Sequence, residues 1–167
     1  MIPAYRDATL ADLPAVDRLF RASFAATFGH LYAPADLAAF FAKFTAEAWE
    51  AEHGTMRFRL AEVDGALVGY AKLGPVTLPV APAGPARELR QLYLAEQAKG
   101  TGIADALMRW AIETALGAGA RELFLSVFVD NHRARRLYER YGFADIGPYV
   151  FRVGDHEDED RMMRLAL

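Results

Sequence analysis

The sequence of 167 residues contains no cysteine, which excludes disulfide bonds, thiol nucleophiles and cysteine-ligated metal sites. It also lacks an apolar run long enough to span a bilayer, and residues 1–10 have no apolar signal-peptide core. The net charge is only −3, whereas nucleic-acid binding usually requires a basic face. We therefore expect a cytoplasmic protein that binds neither membranes nor nucleic acids.

The amounts of apolar and charged residues are typical of a globular domain. Apolar residues make up 53% of the chain and charged residues 25%, a balance that supports a packed core rather than disorder. No internal repeat or linker interrupts the chain, and its length fits one domain. The sequence therefore predicts a single domain over residues 1–167.

The order of the apolar patterns predicts a mixed α/β domain. Helical spacing of apolar residues predicts helices at 11–28, 34–44, after Thr45, 103–116 and 131–141, and β-rich runs predict strands at 2–8, 56–63, 66–73, 87–94, 122–129, 143–153 and 161–167. Asp64-Gly65 is typical of a tight hairpin between two of these strands. One strand–helix–strand unit is expected to form a βαβ crossover. We expect the acidic residues 155–160 to form a solvated turn between the last two strands.

A glycine-rich segment, residues 97–104, joins the fourth predicted strand to the next helix; we call it the glycine loop. Gly100 and Gly102 allow the main chain to turn sharply and to approach a ligand closely. Because the first N–H groups of a helix have no internal partner, such a loop is suited to bind phosphate. It is not a P-loop, and Asp105 replaces the third glycine of the dinucleotide-binding pattern. A tight turn that binds nothing is the alternative from this loop alone.

Two blocks of the sequence resemble the GNAT superfamily of N-acetyltransferases. Gln97, Gly100 and Gly102 match the acetyl-CoA pyrophosphate motif Gln/Arg-x-x-Gly-x-Gly/Ala, and residues 131–143 are similar to a second block, Asn-x-x-Ala-x-x-Phe/Leu-Tyr-x-x-x-Gly-Phe. The resemblance implies an α/β (α+β) GNAT fold, in which a central mixed, mostly antiparallel sheet flanked by helices is splayed between strands 4 and 5. Acetyl-CoA would enter that gap as cosubstrate, without a metal.

Short stretches also resemble the PaiA-type spermidine/spermine acetyltransferases. They are residues 22–28 and residues 151–155, with Met162 or Met163 beyond. This resemblance implies a polyamine acceptor. One departure is Arg90, because related chains often carry an acidic residue there and a cation facing the substrate would repel a polyamine.

The GNAT resemblance also implies which residues contact acetyl-CoA. Main-chain groups of Leu92 and Leu94 are expected to pair with the pantetheine arm like an added strand, with the Leu92 N–H as oxyanion donor. Arginine suits phosphate, so Arg133, Arg135 or Arg136 is expected near the adenosine 3′-phosphate. The complete set of expected contacts is Leu92, Tyr93, Leu94, Gln97, Lys99, Gly100, Thr101, Gly102, Ile103, Ala104, Asn131, Arg133 and Tyr138.

Acyl transfer to an amine needs a base and an acid. An alkylammonium has a pKa of about 10.4 and must lose a proton, while the leaving thiolate must gain one. The resemblance implies that Tyr138 is the acid. Glu88, on the strand before the glycine loop, is the candidate base, directly or through water; an ion pair with Arg87 or Arg90 is the alternative. Alternation along this strand predicts one face with Glu88, Arg90, Leu92 and Leu94, and the other with Leu89, Gln91 and Tyr93.

The predicted function is direct transfer of an acetyl group from acetyl-CoA to a primary amine, with spermidine or spermine as candidate acceptors. Alternative acceptors are a protein or peptide amine, or another small amine. An alternative from another class is a non-catalytic acyl-CoA-binding regulatory module on the same fold. Homodimers are common for this fold, although the sequence identifies no interface.

Overall fold

The structure, a computed structural model, describes all residues from Met1 to Leu167 and contains seven strands and five α-helices. The strands are β1 (Ala4–Asp7), β2 (Arg57–Val63), β3 (Ala66–Gly74), β4 (Ala86–Leu94), β5 (Glu122–Phe128), β6 (Ala144–Val153) and β7 (His156–Ala166). The helices are α1 (Leu13–Phe28), α2 (Pro34–Phe41), α3 (Ala46–Thr55), α4 (Ile103–Gly117) and α5 (His132–Arg140). Every predicted strand and helix is present, and only the start of β7 lies far from its predicted position.

Local sequence explains several of these bounds. Pro14 lies in the first turn of α1, where its missing N–H costs little. The Thr45 side chain caps α3 by accepting a hydrogen bond from the Ala48 N–H at 3.1 Å. Asp64 and Gly65 both have positive φ, 51° and 79°, and form the predicted hairpin turn between β2 and β3.

The strands form one sheet in the order β1-β2-β3-β4-β5-β7-β6. Only β4 and β5 are parallel, and every other neighbouring pair is antiparallel. Helix α4 lies in the crossover connection that a parallel pair requires. This arrangement confirms the predicted mixed, mostly antiparallel sheet flanked by helices.

The sheet opens between β4 and β5. The two strands pair only at one end, where residues 86–88 of β4 oppose residues 122–124 of β5. Beyond these residues, β4 continues to Leu94 and β5 to Phe128, but these parts of the two strands do not pair with each other. The predicted splay between strands 4 and 5 is confirmed, and it leaves main-chain groups unpaired in the middle of the sheet.

Different cores cover the two faces of the sheet. On the aromatic face, helices α1, α2 and α3 pack through side chains that include Phe20, Phe24, Phe40, Trp49, Phe58 and Tyr70. On the aliphatic face, helices α4 and α5 pack through side chains that include Ile103, Leu107, Met108, Leu125 and Leu137. Because β4 and β5 separate, the gap between them connects the two faces.

The acidic turn predicted over residues 155–160 is wrong. The pairing of β6 with β7 already starts at His156, so the turn consists only of Gly154 and Asp155. Gly154 has a φ of 59°, which suits a two-residue hairpin, and a Cβ there would lie 2.5 Å from the Asp36 carboxylate of α2. Asp36 also accepts a hydrogen bond from the Asp155 N–H at 2.9 Å. The turn is thus fixed against α2, and the acidic residues that follow it belong to β7.

The simple alternation predicted for β4 is also wrong. The pairing of β3 with β4 shifts by one residue at Arg90, which therefore forms a β-bulge. As a result, Leu89 packs on the aliphatic face together with Leu92 and Leu94 rather than opposite to them. Tyr93 keeps its predicted orientation away from Leu92 and packs against the aromatic core.

Candidate functional site

A cavity of about 580 Å³ occupies the gap between β4 and β5. Its walls include the unpaired parts of both strands, residues 89–94 and 125–128, and part of the glycine loop. Lining side chains come from both faces of the sheet, for example Phe24 from the aromatic face and Leu137 from the aliphatic face. The cavity therefore passes through the sheet from one face to the other.

The glycine loop is arranged to bind an anion at the aliphatic end of this cavity. Gly100 and Gly102 have φ values of 75° and 87°, which glycine adopts without strain. None of the main-chain N–H groups from Gly100 to Asp105 donates a hydrogen bond to another main-chain group. The guanidinium of Arg133 lies beside the loop, since a Cβ on Gly100 would be 3.6 Å from its Nη2. Free N–H groups and an adjacent arginine fit the pyrophosphate of acetyl-CoA.

Other charges around the loop are paired within the protein. Lys99 Nζ lies 2.6 Å from a carboxylate oxygen of Glu96. The Asp105 carboxylate, which would repel a phosphate, accepts hydrogen bonds from Arg140 at 2.9 Å and from the Tyr141 hydroxyl at 3.0 Å. These contacts hold Asp105 against α5 and offset its charge.

Ten of the predicted acetyl-CoA contacts line the cavity, and three do not. The three are Gln97, Thr101 and Ile103. The Thr101 hydroxyl donates to the Ala98 carbonyl, and Ile103 is fully buried in the aliphatic core. The ten that line the cavity are Leu92, Tyr93, Leu94, Lys99, Gly100, Gly102, Ala104, Asn131, Arg133 and Tyr138.

The main chain of β4 directs hydrogen-bonding groups into the cavity at Leu92 and Leu94. The Ala95 N–H donates to the Val68 carbonyl at 2.8 Å. Because hydrogen-bonded and non-hydrogen-bonded pairs alternate along an antiparallel ladder, Leu94 and Leu92 turn their main-chain groups away from β3, toward the gap. The Ser23 hydroxyl reaches the Leu94 carbonyl at 3.0 Å. This geometry suits a ligand arm that pairs with β4 like an added strand.

The sequence predicted that one of three arginines on α5 contacts the adenosine 3′-phosphate, and the structure brings one of the three to the cavity. Asn131, before the helix, accepts a main-chain hydrogen bond at 3.3 Å and so caps it. Arg133 lines the cavity, whereas Arg136 does not. Arg135 instead donates to the Val129 carbonyl at 2.8 Å.

Tyr138 reaches the cavity from the aliphatic face. It is 8% exposed, and its ring packs against Phe143 with 5.9 Å between the centroids. Burial raises the pKa of its phenol to about 12. Tyr138 is therefore a neutral hydrogen-bond donor at physiological pH.

Glu88 is not among the residues that line the cavity. It is 6% exposed, and Oε1 accepts hydrogen bonds from the Thr77 and Leu78 N–H groups at 2.9 and 3.1 Å. Oε2 lies 3.2 Å from Nε of Arg90, whose Nη1 donates to the Pro75 carbonyl at 3.0 Å. Glu88 thus secures the loop between β3 and β4 and offsets the charge of Arg90. This contact matches the ion pair that the sequence analysis gave as the alternative to a base.

Two buried carboxylates that the sequence analysis missed line the cavity from the aromatic face. Asp158 and Asp160 alternate along β7 with the exposed residues Glu157 and Glu159. Cross-strand neighbours share a face, and Asp160 pairs with Phe128 of β5. One sequence feature could have located them, because Gly-Asp is typical of a two-residue turn and would have started β7 at His156.

This arrangement of sheet, loop and cavity occurs in a known family. Residues 13–143 match the sequence profile of the Acetyltransferase (GNAT) family. The chain belongs to this family. GNAT acetyltransferases use acetyl-CoA as cosubstrate, and the free N–H groups of the glycine loop fit its pyrophosphate.

Relatives of this GNAT chain include an uncharacterised N-acetyltransferase of Mycobacterium tuberculosis (strain H37Rv), which is 40% identical over 105 residues, or 62% of each chain. An uncharacterised N-acetyltransferase in the pepI 3′ region of Lactobacillus delbrueckii subsp. lactis is 29% identical over 160 residues, covering 93% of this chain and 92% of that protein. The crystal structure of the PaiA N-acetyltransferase from Thermoplasma acidophilum in complex with coenzyme A has a TM-score of 0.82 and 21% identity, and the match covers all of both chains. The likeness shows that the two proteins share a fold.

Two further classes of feature are absent from this GNAT structure. No group of three or more histidine, aspartate or glutamate side chains is arranged to hold a metal ion. None of the helices combines the length and the apolar character needed to cross a membrane.

Proposed function

We propose that this protein is an N-acetyltransferase that moves the acetyl group of acetyl-CoA to a primary amine. The observation that carries the proposal is a single cavity with opposite electrostatic ends. Free N–H groups and Arg133 lie at its aliphatic end, and the carboxylates of Asp158 and Asp160 lie at its aromatic end. The two ends therefore suit an anionic cosubstrate and a cationic acceptor, which would meet at the gap. This arrangement supports direct transfer between the two substrates.

At the aliphatic end, the chain binds and orients the cosubstrate. The N–H groups of the glycine loop, together with Arg133, hold the pyrophosphate. Leu92 and Leu94 hold the pantetheine arm through main-chain hydrogen bonds. The Leu92 N–H is the donor to the acetyl oxygen as negative charge develops there.

Tyr138 acts on the leaving sulfur. A phenol with a pKa of about 12 is a weaker acid than a thiol, whose pKa is about 8.5. Tyr138 therefore gives up its proton only if it regains one, which the nitrogen supplies as the amide forms. We assign Tyr138 the role of a relay that passes this proton to the sulfur.

A polyamine such as spermidine or spermine is the acceptor that we propose within the class of primary amines. The resemblance to PaiA-type enzymes supports it, and two buried carboxylates suit a polycation. Arg90 no longer argues against a polycation, because Glu88 offsets its charge.

The test is the release of CoA thiol from acetyl-CoA with a panel of amines: spermidine, spermine, lysine peptides and free amino acids. We expect saturable release with at least one amine, with the polyamines giving the highest kcat/KM. If calorimetry shows CoA binding while none of these amines causes release, the protein is instead an acyl-CoA-binding module.

A further inference from the structure

Asp158 and Asp160 are buried carboxylates that no lysine or arginine of the protein neutralises. They are 8% and 6% exposed and both line the cavity. The one basic side chain within 4.0 Å of either carboxylate is His156, which contacts Asp158. Burying a carboxylate without a cation is unfavourable. A cavity wall that keeps two of them is therefore suited to a cation that enters from outside.

Asp158 is held in one position by its neighbours. The Tyr32 hydroxyl donates to one carboxylate oxygen, and Nε2 of His156 lies 3.0 Å from the other. The Tyr32 ring in turn stacks on Phe24 of α1, with 5.9 Å between the ring centroids. With both oxygens engaged, Asp158 supplies a fixed negative charge beside the cavity.

Asp160 has fewer partners than Asp158. No side chain of the protein forms a hydrogen bond with its carboxylate within normal distance, and the Ser126 hydroxyl on β5 is the polar group that lies near it. Burial, followed by the charge of Asp158, raises the pKa of Asp160 to about 7, and Ser126 opposes this rise only in part. Asp160 can therefore gain and lose a proton near neutral pH.

The other titratable groups that face the cavity do not compensate Asp160. Tyr32, Tyr93 and Tyr138 are phenols whose pKa values are raised by burial, so all three are neutral. Arg90 lines the cavity with its guanidinium already paired. The remaining charged residues of the lining surround the glycine loop at the aliphatic end: Lys99, Asp105, Arg133 and Arg140.

Asp160 and Tyr138 approach the gap from opposite faces of the sheet. Asp160 shares the aromatic face with its cross-strand neighbour Phe128, whose ring contacts Phe28 at 5.9 Å between centroids. Tyr138 belongs to the aliphatic core. Both residues line the cavity together with the unpaired edge of β4, so an acetyl group bound to that edge would be attacked from one side and would lose its sulfur on the other.

We propose that Asp160 is the base that accepts the proton of the incoming ammonium, and that Asp158 and Asp160 together select primary amines without a carboxylate near the nitrogen. This inference rests on the proposed acetyltransferase function. It differs from the sequence prediction, which named Glu88 as the base. Glu88 lies outside the cavity lining, and its carboxylate contacts two N–H groups and Arg90.

The proton balance of the step is as follows. The ammonium nitrogen gives one proton to the Asp160 carboxylate and becomes a free amine. Its electron pair forms the N–C bond while the C–S bond breaks. The nitrogen then loses a second proton, and the sulfur gains one through Tyr138. Asp160 returns its proton to water, so the products are an amide, a thiol and one released proton.

The experiment measures kcat/KM for 1,5-diaminopentane between pH 6 and 10 by CoA-thiol release. For the wild type, we expect kcat/KM to rise to about pH 7 and then to level off, because ionised Asp160 deprotonates the bound ammonium. In Asp160→Asn, kcat/KM at pH 7 should fall by about 10²- to 10⁴-fold. It should then rise about tenfold per pH unit toward pH 10, because the amine must lose its proton in solution.

Matched variants separate this role from a general loss of charge or folding. Glu159→Gln removes a neighbouring carboxylate of β7 whose side chain is 57% exposed, and it should keep the wild-type profile. CoA affinity of Asp160→Asn, measured by calorimetry, should equal that of the wild type. The inference would be overturned if kcat/KM of Asp160→Asn levelled off above pH 7 and stayed within threefold of wild type. It would also be overturned if Glu88→Gln, and not Asp160→Asn, showed the loss of kcat/KM and the changed pH profile.

A matched pair of acceptors tests the selectivity. Norleucine differs from 1-aminopentane by one carboxylate, which lies next to its only nitrogen, and wild-type kcat/KM should be at least tenfold lower for norleucine. Asp158→Asn should reduce this ratio, and equal values for both amines in the wild type would overturn the selectivity. If the wild type releases no thiol with any amine of the larger panel, the proposed function fails rather than the assignment of Asp160.

Discussion

The aliphatic and aromatic ends of the cavity differ in charge and in the kind of group that provides it. At the aliphatic end, free main-chain N–H groups of one short loop and the guanidinium of Arg133 attract an anion. At the aromatic end, two side-chain carboxylates attract a cation, and the contact of Asp158 with Tyr32 joins residues 126 positions apart. A main-chain site needs a loop conformation, whereas a side-chain site needs distant parts of the chain to pack correctly.

Glu88 and Asp160 show the same contrast in two single residues. Both are 6% exposed, yet Glu88 has two N–H groups and an arginine beside it, and Asp160 has neither. Equal burial therefore leaves Glu88 held by hydrogen bonds and an ion pair, whereas it raises the pKa of Asp160 to about 7. The role of Glu88 as a base stays a prediction, which the pH profile of Glu88→Gln tests.

Among the variants that test this contrast between the two ends, Tyr138→Phe should have the largest effect on activity. Removing the proposed proton relay should lower kcat by about 10²- to 10⁴-fold. CoA affinity and the acceptor KM should change little, because the ring is retained. Tyr149→Phe, on β6 and outside the cavity lining, is the control and should keep kcat within a few-fold. Equal kcat for Tyr138→Phe and wild type would remove Tyr138 from the mechanism.

Asp160→Asn should also change the pH dependence of stability. Since the pKa of Asp160 is raised to about 7 in the folded state from about 3.9 in an unfolded chain, the folded state binds this proton more tightly. Its contribution to the free energy of unfolding therefore falls as the pH rises from about 4 to about 7.

Chemical denaturation at pH 4 and pH 8 measures this contribution. The stability of Asp160→Asn relative to wild type should increase between these pH values, by at most about 4 kcal/mol. Glu159→Gln should show no such increase. A variant that is less stable than wild type at pH 8 would mean that Asp160 serves the fold rather than the reaction.

Gly100→Ala should weaken the anion-binding end alone. A Cβ at φ 75° strains the loop by about 1 kcal/mol and occupies space beside the Arg133 guanidinium. We expect the Kd for CoA, measured by calorimetry, to rise about tenfold. Gly65→Ala carries similar strain at φ 79° in the β2–β3 turn and should leave the Kd unchanged. A similar Kd for both variants would show that the loop does not hold the pyrophosphate.

The smallest expected effect belongs to Tyr32→Phe. It removes the hydrogen bond to Asp158 and keeps the ring that stacks on Phe24. The acceptor KM should rise about 3- to 10-fold, in line with about 0.5–1.5 kcal/mol for one hydrogen bond. The Kd for CoA serves as the internal control. An unchanged KM combined with a weaker CoA Kd would place Tyr32 at the wrong end of the cavity.

The sequence by itself predicted the order of helices and strands and the conformation of the glycine loop, whereas the splay between β4 and β5 was implied by the GNAT resemblance. Apolar periodicity located the helices and strands, because a 3.6-residue or a 2-residue repeat reflects which face each element buries. Gly100, Gly102 and the start of α4 are contiguous, so their anion-binding geometry follows from local dihedral angles and free N–H groups.

Only the tertiary structure decided the orientation of β4 and the composition of the aromatic end. The bulge at Arg90 depends on register with β3, and it moved Leu89 to the face of Leu92. The burial of Asp158 and Asp160 depends on pairing of β7 with β5 and β6 and on the packing of Tyr32. A run of acidic residues looks alike in a solvated turn and in a half-buried strand, since only long-range contacts fix which carboxylates leave water.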